Sequence, residues 1–211
     1  MKKKEGIVFD LDGVLLDSET NLNWLYTAFK KTLIECDIDV SEENLQKIHS
    51  KNLYKFDKIS EEFGVKPLDM WEIRNKNYIK EKIKAMKNRE IFPFPDVKSL
   101  YRLKDIYGLS IVSDSPQEIV DFFIKEFGYK DLFECSVGRG TNLEDLEKMK
   151  PSPLALARLL ENIQHEKLTY VGDSEKDHEF AEKTHMGFIF LCRKKDTDFN
   201  SLDKVVNHLF H

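Results

Sequence analysis

The chain of 211 residues reads as an α/β protein: a parallel sheet with helices on both faces and a helical cap inserted near its start. Three observations predict this. Short apolar runs alternate with stretches of helical period, the pattern of βαβ units. The first run, Gly6 to Asp10, is too apolar for a strand with one wet face, which suits a parallel sheet covered on both sides. About a hundred residues separate the first two strands, far more than a single crossover needs.

The elements follow in order. After the strand at Gly6–Asp10, helical spacing runs through Leu22, Leu25, Tyr26, Phe29 and Leu33. It resumes at Trp71, Tyr78 and Ile79, with Ile83 and Met86 in looser support. These stretches are assigned to the cap, residues 18–91. Residues 1–17 and 92–211 are assigned to the core that carries the sheet. Phe92-Pro93-Phe94-Pro95 is the return hinge, stiffened by its two prolines. Leu109–Val112 is the second strand and ends at Ser113. Ser115-Pro116-Gln117-Glu118 has the form of a capping box with proline in the first turn. It opens a helix that carries Ile119, Val120, Phe123 and Phe127 on one face. A strand near Phe133–Val137 leads into a polar loop, and Lys150-Pro151-Ser152-Pro153 starts the next helix. Leu168–Val171, Glu175–Thr184, Gly187–Leu191 and Leu202–Phe210 complete the alternation as strand, helix, strand and helix.

Composition removes several function classes. A net charge of −5 argues against a general nucleic-acid binder. Asp10 and Asp12 interrupt the apolar stretch behind the basic start too early for a signal peptide, and no run approaches transmembrane length. Cys36, Cys135 and Cys192 are an odd number without a CxxC pair. They read as small buried apolar groups in a reducing cytoplasm. Asp10-Leu11-Asp12-Gly13 is not an EF-hand loop, because Val14 and Leu15 fill ligand positions. Gly138-Arg139-Gly140 lacks the third glycine of a dinucleotide fingerprint. Lys51, Lys55 and Arg74 read mostly as solvated charges on cap helices, with the alternative that one of the three reaches the substrate, and His178 reads as a surface histidine.

Four short segments carry the chemistry. Asp10 and Asp12 follow the first strand, and Gly172-Asp173-Ser174-Glu175-Lys176-Asp177 follows the strand Leu168–Val171. Two acidic clusters at strand ends make a site for a hard divalent cation. Ser113 and Lys150 supply a neutral and a cationic donor for an oxyanion. Carboxylates, a cation site and an anion clamp together spell phosphoryl transfer. Ligands of open parallel sheets bind at the carboxyl ends of strands, where Asp10, Ser113 and Asp173 are expected to converge.

The order and spacing of these segments resemble the haloacid dehalogenase superfamily. The opening Phe9-Asp10-Leu11-Asp12-Gly13-Val14-Leu15-Leu16-Asp17-Ser18-Glu19 is most similar to its phosphoglycolate phosphatase and β-phosphoglucomutase branch. The resemblance implies a Rossmann-like core and a cytoplasmic phosphatase dependent on Mg²⁺. Asp10 is then the nucleophile that forms an aspartyl-phosphate, and Asp12 the general acid and base. Members of the family that cleave other bonds lack the second Asp, so Asp12 points to phosphate esters. Mg²⁺ would be held by Asp10, the backbone carbonyl of Asp12 and Asp173, with Asp177 a ligand through water or a carboxylate that supports the ligands from behind. Ser113, Asp114 and Lys150 would form the phosphate pocket. Asp114 departs from the pattern, since an Asn or small residue is usual there and an extra carboxylate beside a phosphate is electrostatically awkward.

The expected partner is a small phosphorylated metabolite, chosen by the cap, with Lys51, Asn52, Tyr54 and Lys55 as candidate contacts. Two rival readings stand beside the phosphatase. One is a phosphomutase of the same branch, which needs a second phosphate site. The other is a non-catalytic binding protein, which would be expected to have lost Asp10 or Asp12.

Overall fold

The computed structural model describes residues 5–194 and 197–210, without the side chains of residues 50 and 51. The basic start and the Lys51 side chain therefore lie outside the described residues. In chain order the elements are β1 (Glu5–Phe9), β2 (Leu16–Asp17), α1 (Asn23–Glu35), α2 (Glu42–Lys47), α3 (Phe56–Glu62), α4 (Pro67–Lys87), β3 (Phe92–Pro93), β4 (Gly108–Pro116), α5 (Gln117–Glu126), β5 (Cys135–Arg139), α6 (Leu154–Leu160), β6 (Lys167–Gly172), α7 (Glu175–Lys183), β7 (Gly187–Phe190) and α8 (Leu202–Phe210).

Five strands form one parallel sheet in the order β5-β4-β1-β6-β7. Side chains alternate across a strand, so β1 feeds two cores at once. Ile7 and Phe9 enter the larger apolar cluster with Leu109, Ile111 and Val171. Val8 enters the other with Val112, Tyr170, Leu159 of α6 and Phe180 of α7. Phe9 is fully buried, worth about 1.5–3 kcal/mol on its own. This two-sided burial is why β1 has no polar position before Asp10.

The helices α1 to α4 lie between β1 and β4 and share the larger core through Phe29, Phe56 and Trp71. The segments leading into and out of them pair with each other: β2 and β3 are antiparallel, with Leu16 opposite Pro93 and Asp17 opposite Phe92. A two-stranded ribbon thus stands where the sequence suggested two separate linkers. Proline is tolerated in it because the ribbon is an edge.

The capping box expected at Ser115 is not formed. Pro116 occupies the N-cap of α5 with no side-chain cap bond, and Ser115 still belongs to β4. Its hydroxyl is used elsewhere, on Asp12. The three cysteines are free and half-buried rather than buried. No described helix is long and apolar enough to cross a membrane.

Candidate active site

β4, β1 and β6 are neighbours in the sheet, so residues far apart in the chain meet at their carboxyl ends. Asp10 follows β1 and donates its N–H to the carbonyl of Val171 at 3.0 Å, which ties the first acidic loop to the start of the second. Its Oδ1 accepts from the N–H of Leu11 at 2.8 Å. Asp173 follows β6. Oxygens of Asp10, Asp173 and Asp177 lie within 4.8 Å of one another. Burial pushes the Asp10 carboxyl well above the usual carboxylate range, Lys150 opposes this, and the carboxylates of Asp177, Asp12 and Asp173 add to it. Burial likewise raises Asp173 to about 7, with help from Asp177 and Glu19.

Gly13 explains how these acids come so close. It sits at φ +77°, and a Cβ there would lie 2.0 Å from Asp173 Oδ2. Only glycine both adopts this backbone and leaves room for the carboxylate. Arg193 fixes the same loop from outside, donating to the carbonyls of Gly13 at 3.3 Å and Val14 at 2.7 Å. Its guanidinium is paired with Asp96 and stacked 3.6 Å from the Phe94 ring.

Lys150 is the cation of the cluster. Its Nζ lies 3.0 Å from Asp10 Oδ1 and 2.6 Å from Asp177 Oδ1, and donates to the Tyr170 hydroxyl at 2.8 Å. Burial alone would lower its pKa, but Asp10, Tyr170 and Asp177 hold it well above the ordinary lysine value. Asp177 is completely buried. Its Oδ2 accepts from the Ser174 hydroxyl at 2.6 Å and from the N–H groups of Ser174 and Asp173, a capping box that starts α7. Asp177 therefore anchors both Lys150 and the backbone that aims Asp173. The donors are all carboxylate oxygens, crowded and short of positive charge, which suits a hard divalent cation bound at about 2.0–2.6 Å per ligand.

Asp12 points to another partner set. Its Oδ1 accepts from Lys82 Nζ at 2.5 Å and from the Ser18 hydroxyl at 2.6 Å, and its Oδ2 from the Ser115 hydroxyl at 2.7 Å. Burial would raise Asp12, but Lys82 and the two hydroxyls outweigh it and hold the carboxyl below its usual value. Lys82 comes from α4, is fully buried, also donates to Ser115 Oγ at 2.9 Å, and stands over the Trp24 ring at 5.3 Å.

Ser113 lies buried on β4, its hydroxyl accepting from the N–H of Ser115 at 3.1 Å. Asp114 turns its carboxylate aside: Oδ1 accepts from the backbone N–H of Lys150 at 2.8 Å and Oδ2 pairs with Lys176 at 2.5 Å. The awkward acid is thus a brace for the loop that carries Lys150. A cavity of about 1060 Å³ opens beside this cluster, with Asp12, Lys82 and Lys150 in its wall. Of the expected cap contacts, Tyr54 lines the cavity, while Asn52 donates to the carbonyl of Gln46 and Lys55 stacks over Tyr54.

Sequence reasoning missed Lys82, Ser18 and Ser115, and took Arg74 for a solvated charge although it is 1% exposed. The signal was there for two of them. Trp71, Arg74, Tyr78 and Lys82 keep the spacing of one helical face, and a cation on the buried stripe of a helix needs a partner or a ligand.

Comparison with known proteins bears on the fold and the family. No relative was found among the curated proteins. Among solved structures, a HAD phosphatase from Thermococcus onnurineus superposes with a TM-score of 0.64 at 22% identity, covering 99% of this chain and 98% of its own. CbbY from Rhodobacter sphaeroides, solved in complex with phosphate, gives 0.64 at 16% identity, over 92% and 90%. A provisionally assigned β-phosphoglucomutase from Thermotoga maritima gives 0.61 at 17%, over 98% of each chain. At these identities the likeness establishes the fold. The sequence model of the haloacid dehalogenase-like hydrolases matches residues 7–191, a span that contains Asp10, Asp12, Lys82, Ser113, Lys150, Asp173 and Asp177. The chain belongs to the haloacid dehalogenase-like hydrolase family.

Proposed function

We propose that this protein is a Mg²⁺-dependent phosphatase acting on a small phosphorylated metabolite. The observation that carries the reading is the division of labour among carboxylates. Asp10, Asp173 and Asp177 converge within 4.8 Å around Lys150, while Asp12 is held apart by a separate lysine. One group is arranged for charge and attack, the other for proton transfer.

Asp10 attacks phosphorus with a carboxylate oxygen, the bond to the leaving oxygen breaks, and an aspartyl-phosphate forms. Asp12 gives its proton to the leaving oxygen. In the second step Asp12 takes a proton from water, whose oxygen attacks phosphorus, and the acyl-phosphate bond breaks to restore Asp10. Ser113 and Lys150 bind the phosphoryl oxygens, and the N–H of Asp114 stands beside them. Asp10, the backbone carbonyl of Asp12, Asp173 and Asp177 would hold Mg²⁺, which when bound offsets the repulsion between carboxylates and phosphate. Residues 18–91 act as a cap on the β2–β3 ribbon, opening for substrate and closing against water. The core is 1–17 and 92–211.

The test is a panel of small phosphate esters assayed with Mg²⁺ and with chelator. Turnover is expected with Mg²⁺ and loss of it in chelator; full activity after exhaustive metal removal overturns the reading. The affinity for Mg²⁺ should fall below pH 7. A cation needs Asp173 ionised, and its folded-state value of about 7 lies in that range. One displaced proton gives about a tenfold loss per pH unit. The same raised value means that the metal-free fold is more stable with Asp173 protonated, so its stability declines as pH climbs from about 4 to 7. Isothermal titration at pH 6 and 8 checks the first, thermal melts in chelator the second.

Lys82 sets the state of Asp12. Bound to Lys82, Asp12 is a carboxylate and ready for the hydrolytic step. The proton for the first step is taken up from solvent water, or kept from the water split in the preceding turnover, as substrate draws Lys82 away. Lys82→Met removes the cation that keeps Asp12 low, so the Asp12 pKa rises. The alkaline limb of the kcat/KM profile, where Asp12 must still carry the proton it gives, should move to higher pH, and kcat should fall by a large part of the roughly 10²–10⁴-fold that acid–base catalysis contributes. An unshifted pH profile would detach Lys82 from Asp12.

A further inference from the structure

Arg193 follows β7, far along the chain from the loop that carries Asp12, yet its donors go to that loop. Nε donates to the carbonyl of Gly13 at 3.3 Å and Nη2 to the carbonyl of Val14 at 2.7 Å. Nη1 and Nη2 also pair with the two carboxylate oxygens of Asp96, at 3.0 and 3.1 Å. Asp96 Oδ2 accepts in addition from the N–H of Leu202, the first residue of α8, at 2.8 Å. The Phe94 ring covers the guanidinium at 3.6 Å, and the N–H of Phe94 donates to the carbonyl of Leu15 at 3.0 Å. The Arg193 and Asp96 side chains are 15% and 12% exposed, so water competes little with these bonds.

The loop closes on itself by three backbone bonds. The N–H groups of Leu15 and Leu16 donate to the carbonyl of Leu11, and the N–H of Gly13 to the carbonyl of Leu16. None of the three uses the carbonyls of Gly13 and Val14, which belong to buried residues and need a donor. Arg193 supplies both from one rigid plane. An ammonium is a point donor and does not span two carbonyls and a bidentate carboxylate at once. What these carbonyls adjoin gives their placement its consequence. The Gly13 peptide follows Asp12 directly, and Gly13 lies so close to Asp173 that a Cβ would meet Oδ2 at 2.0 Å. At its other end the loop leads to Ser18, whose hydroxyl donates to Asp12 Oδ1 at 2.6 Å. The loop therefore sets both the backbone of Asp12 and one of the hydroxyls that aim its carboxyl.

We propose that Arg193 is a positioning residue for proton transfer by Asp12: it clamps the loop from Gly13 to Leu16 against Asp96 and Phe94, and so aims the Asp12 carboxyl at the leaving oxygen. The inference rests on the phosphatase reading. Misplacing a reacting group by about 1 Å can cost on the order of 10²-fold in rate, even when the altered residue is far from the chemistry. Asp10 is held by other bonds, its N–H to the carbonyl of Val171 and its Oδ1 to the N–H of Leu11. Its attack on phosphorus is spared when the clamp is lost.

The experiment compares Arg193→Lys and Arg193→Met with the wild type in Mg²⁺, well below the melting temperature of each. The readout is release of the leaving group in a single turnover, from nitrophenyl phosphate and from an accepted alkyl phosphate. A single turnover is needed because Asp12 also serves the hydrolytic step. An alkoxide requires the proton of Asp12, whereas a nitrophenolate leaves nearly unaided. The alkyl phosphate should slow by about 10–100-fold while the nitrophenyl ester stays near the wild-type rate. The lysine variant, which keeps a donor, should recover part of what methionine loses. Asp96→Asn keeps an acceptor for the N–H of Leu202 and loosens the fork, so it should show the same split more weakly; it carries the test should the Arg193 variants fail to fold. A lower melting temperature with both rates unchanged overturns the proposal, since Arg193 would then serve the fold alone. Equal slowing of both esters overturns it too, because the loss would not lie in proton transfer. A wild type that releases neither leaving group overturns the phosphatase reading and the proposal with it.

Discussion

Asp10→Asn is expected to abolish turnover while leaving the fold intact. The amide is nearly isosteric with the carboxylate and still accepts the N–H of Leu11 that holds Asp10 Oδ1 at 2.8 Å. It is a far poorer nucleophile toward phosphorus, so no aspartyl-phosphate forms. Removing a covalent nucleophile costs on the order of 10⁴–10⁶-fold in kcat in other enzymes, and a loss in that range is expected here. Stability should move little, for a physical reason. Burial and the neighbouring carboxylates already strain the ionised Asp10, so losing its charge relieves Asp173 and Asp177 while it takes one partner from Lys150. Steady-state rates on any accepted ester, with melting curves beside them, make the measurement. Trapping of phosphoryl-enzyme in the wild type alone would complete it. Near wild-type turnover in Asp10→Asn would remove the covalent mechanism.

How much of this was legible in the chain differs by level. The strands were legible because a parallel sheet buried on both faces leaves unbroken apolar runs such as Ile7-Val8-Phe9, and their ends mark where a ligand must sit. Asp10 and Asp173 were singled out because they follow β1 and β6, which are neighbours in the sheet; Ser113 lies on β4, and Lys150, which only the motif order singled out, comes from the loop before α6. The role of Asp177 was half legible. Its helical spacing from Asp173 showed that it faced the site. Its bonds to Lys150 and to the Ser174 hydroxyl depend on how the β6–α7 turn closes. Lys82 and Arg74 were lost because on an exposed helix a lysine or arginine every few residues is the ordinary solvated face. Only the packing of α4 against α1, α3 and α5 turns that face inward. Ser115 was misread because its local pattern fits a cap equally well. A long-range bond to Asp12 decided the matter, and local sequence carries no such information.

Lys150→Met should be the most destabilising single change at the site. Lys150 is 3% exposed and is the counter-charge for two buried carboxylates, at 3.0 Å from Asp10 and 2.6 Å from Asp177. Methionine fills the space and leaves both acids without it. Breaking a buried pair from one side typically costs about 3–5 kcal/mol, since the remaining charge keeps its desolvation cost. For a chain of this length that corresponds to a fall in Tm of roughly 6–20 °C. The pH dependence has a definite sign. Without Lys150 the folded-state values of Asp10 and Asp177 rise, and a raised carboxyl favours the fold only while protonated. The gap between variant and wild type should therefore be widest at pH 8 and shrink as pH falls through 4, closing only below the wild-type Asp177 value, which, against its burial, Lys150 and Ser174 hold under the ordinary carboxylate range. Mg²⁺ should narrow it, because a divalent cation among Asp10, Asp173 and Asp177 supplies the missing charge; the metal-induced gain in Tm should exceed that of the wild type. Phosphate binding should weaken in parallel, as the cation facing the phosphoryl oxygens is gone. Melts at pH 4, 6 and 8, with and without Mg²⁺, read all of this in one series. A variant that melts within a degree or two of the wild type at pH 8 in chelator would show that the acidic cluster does not depend on Lys150 for its charge balance.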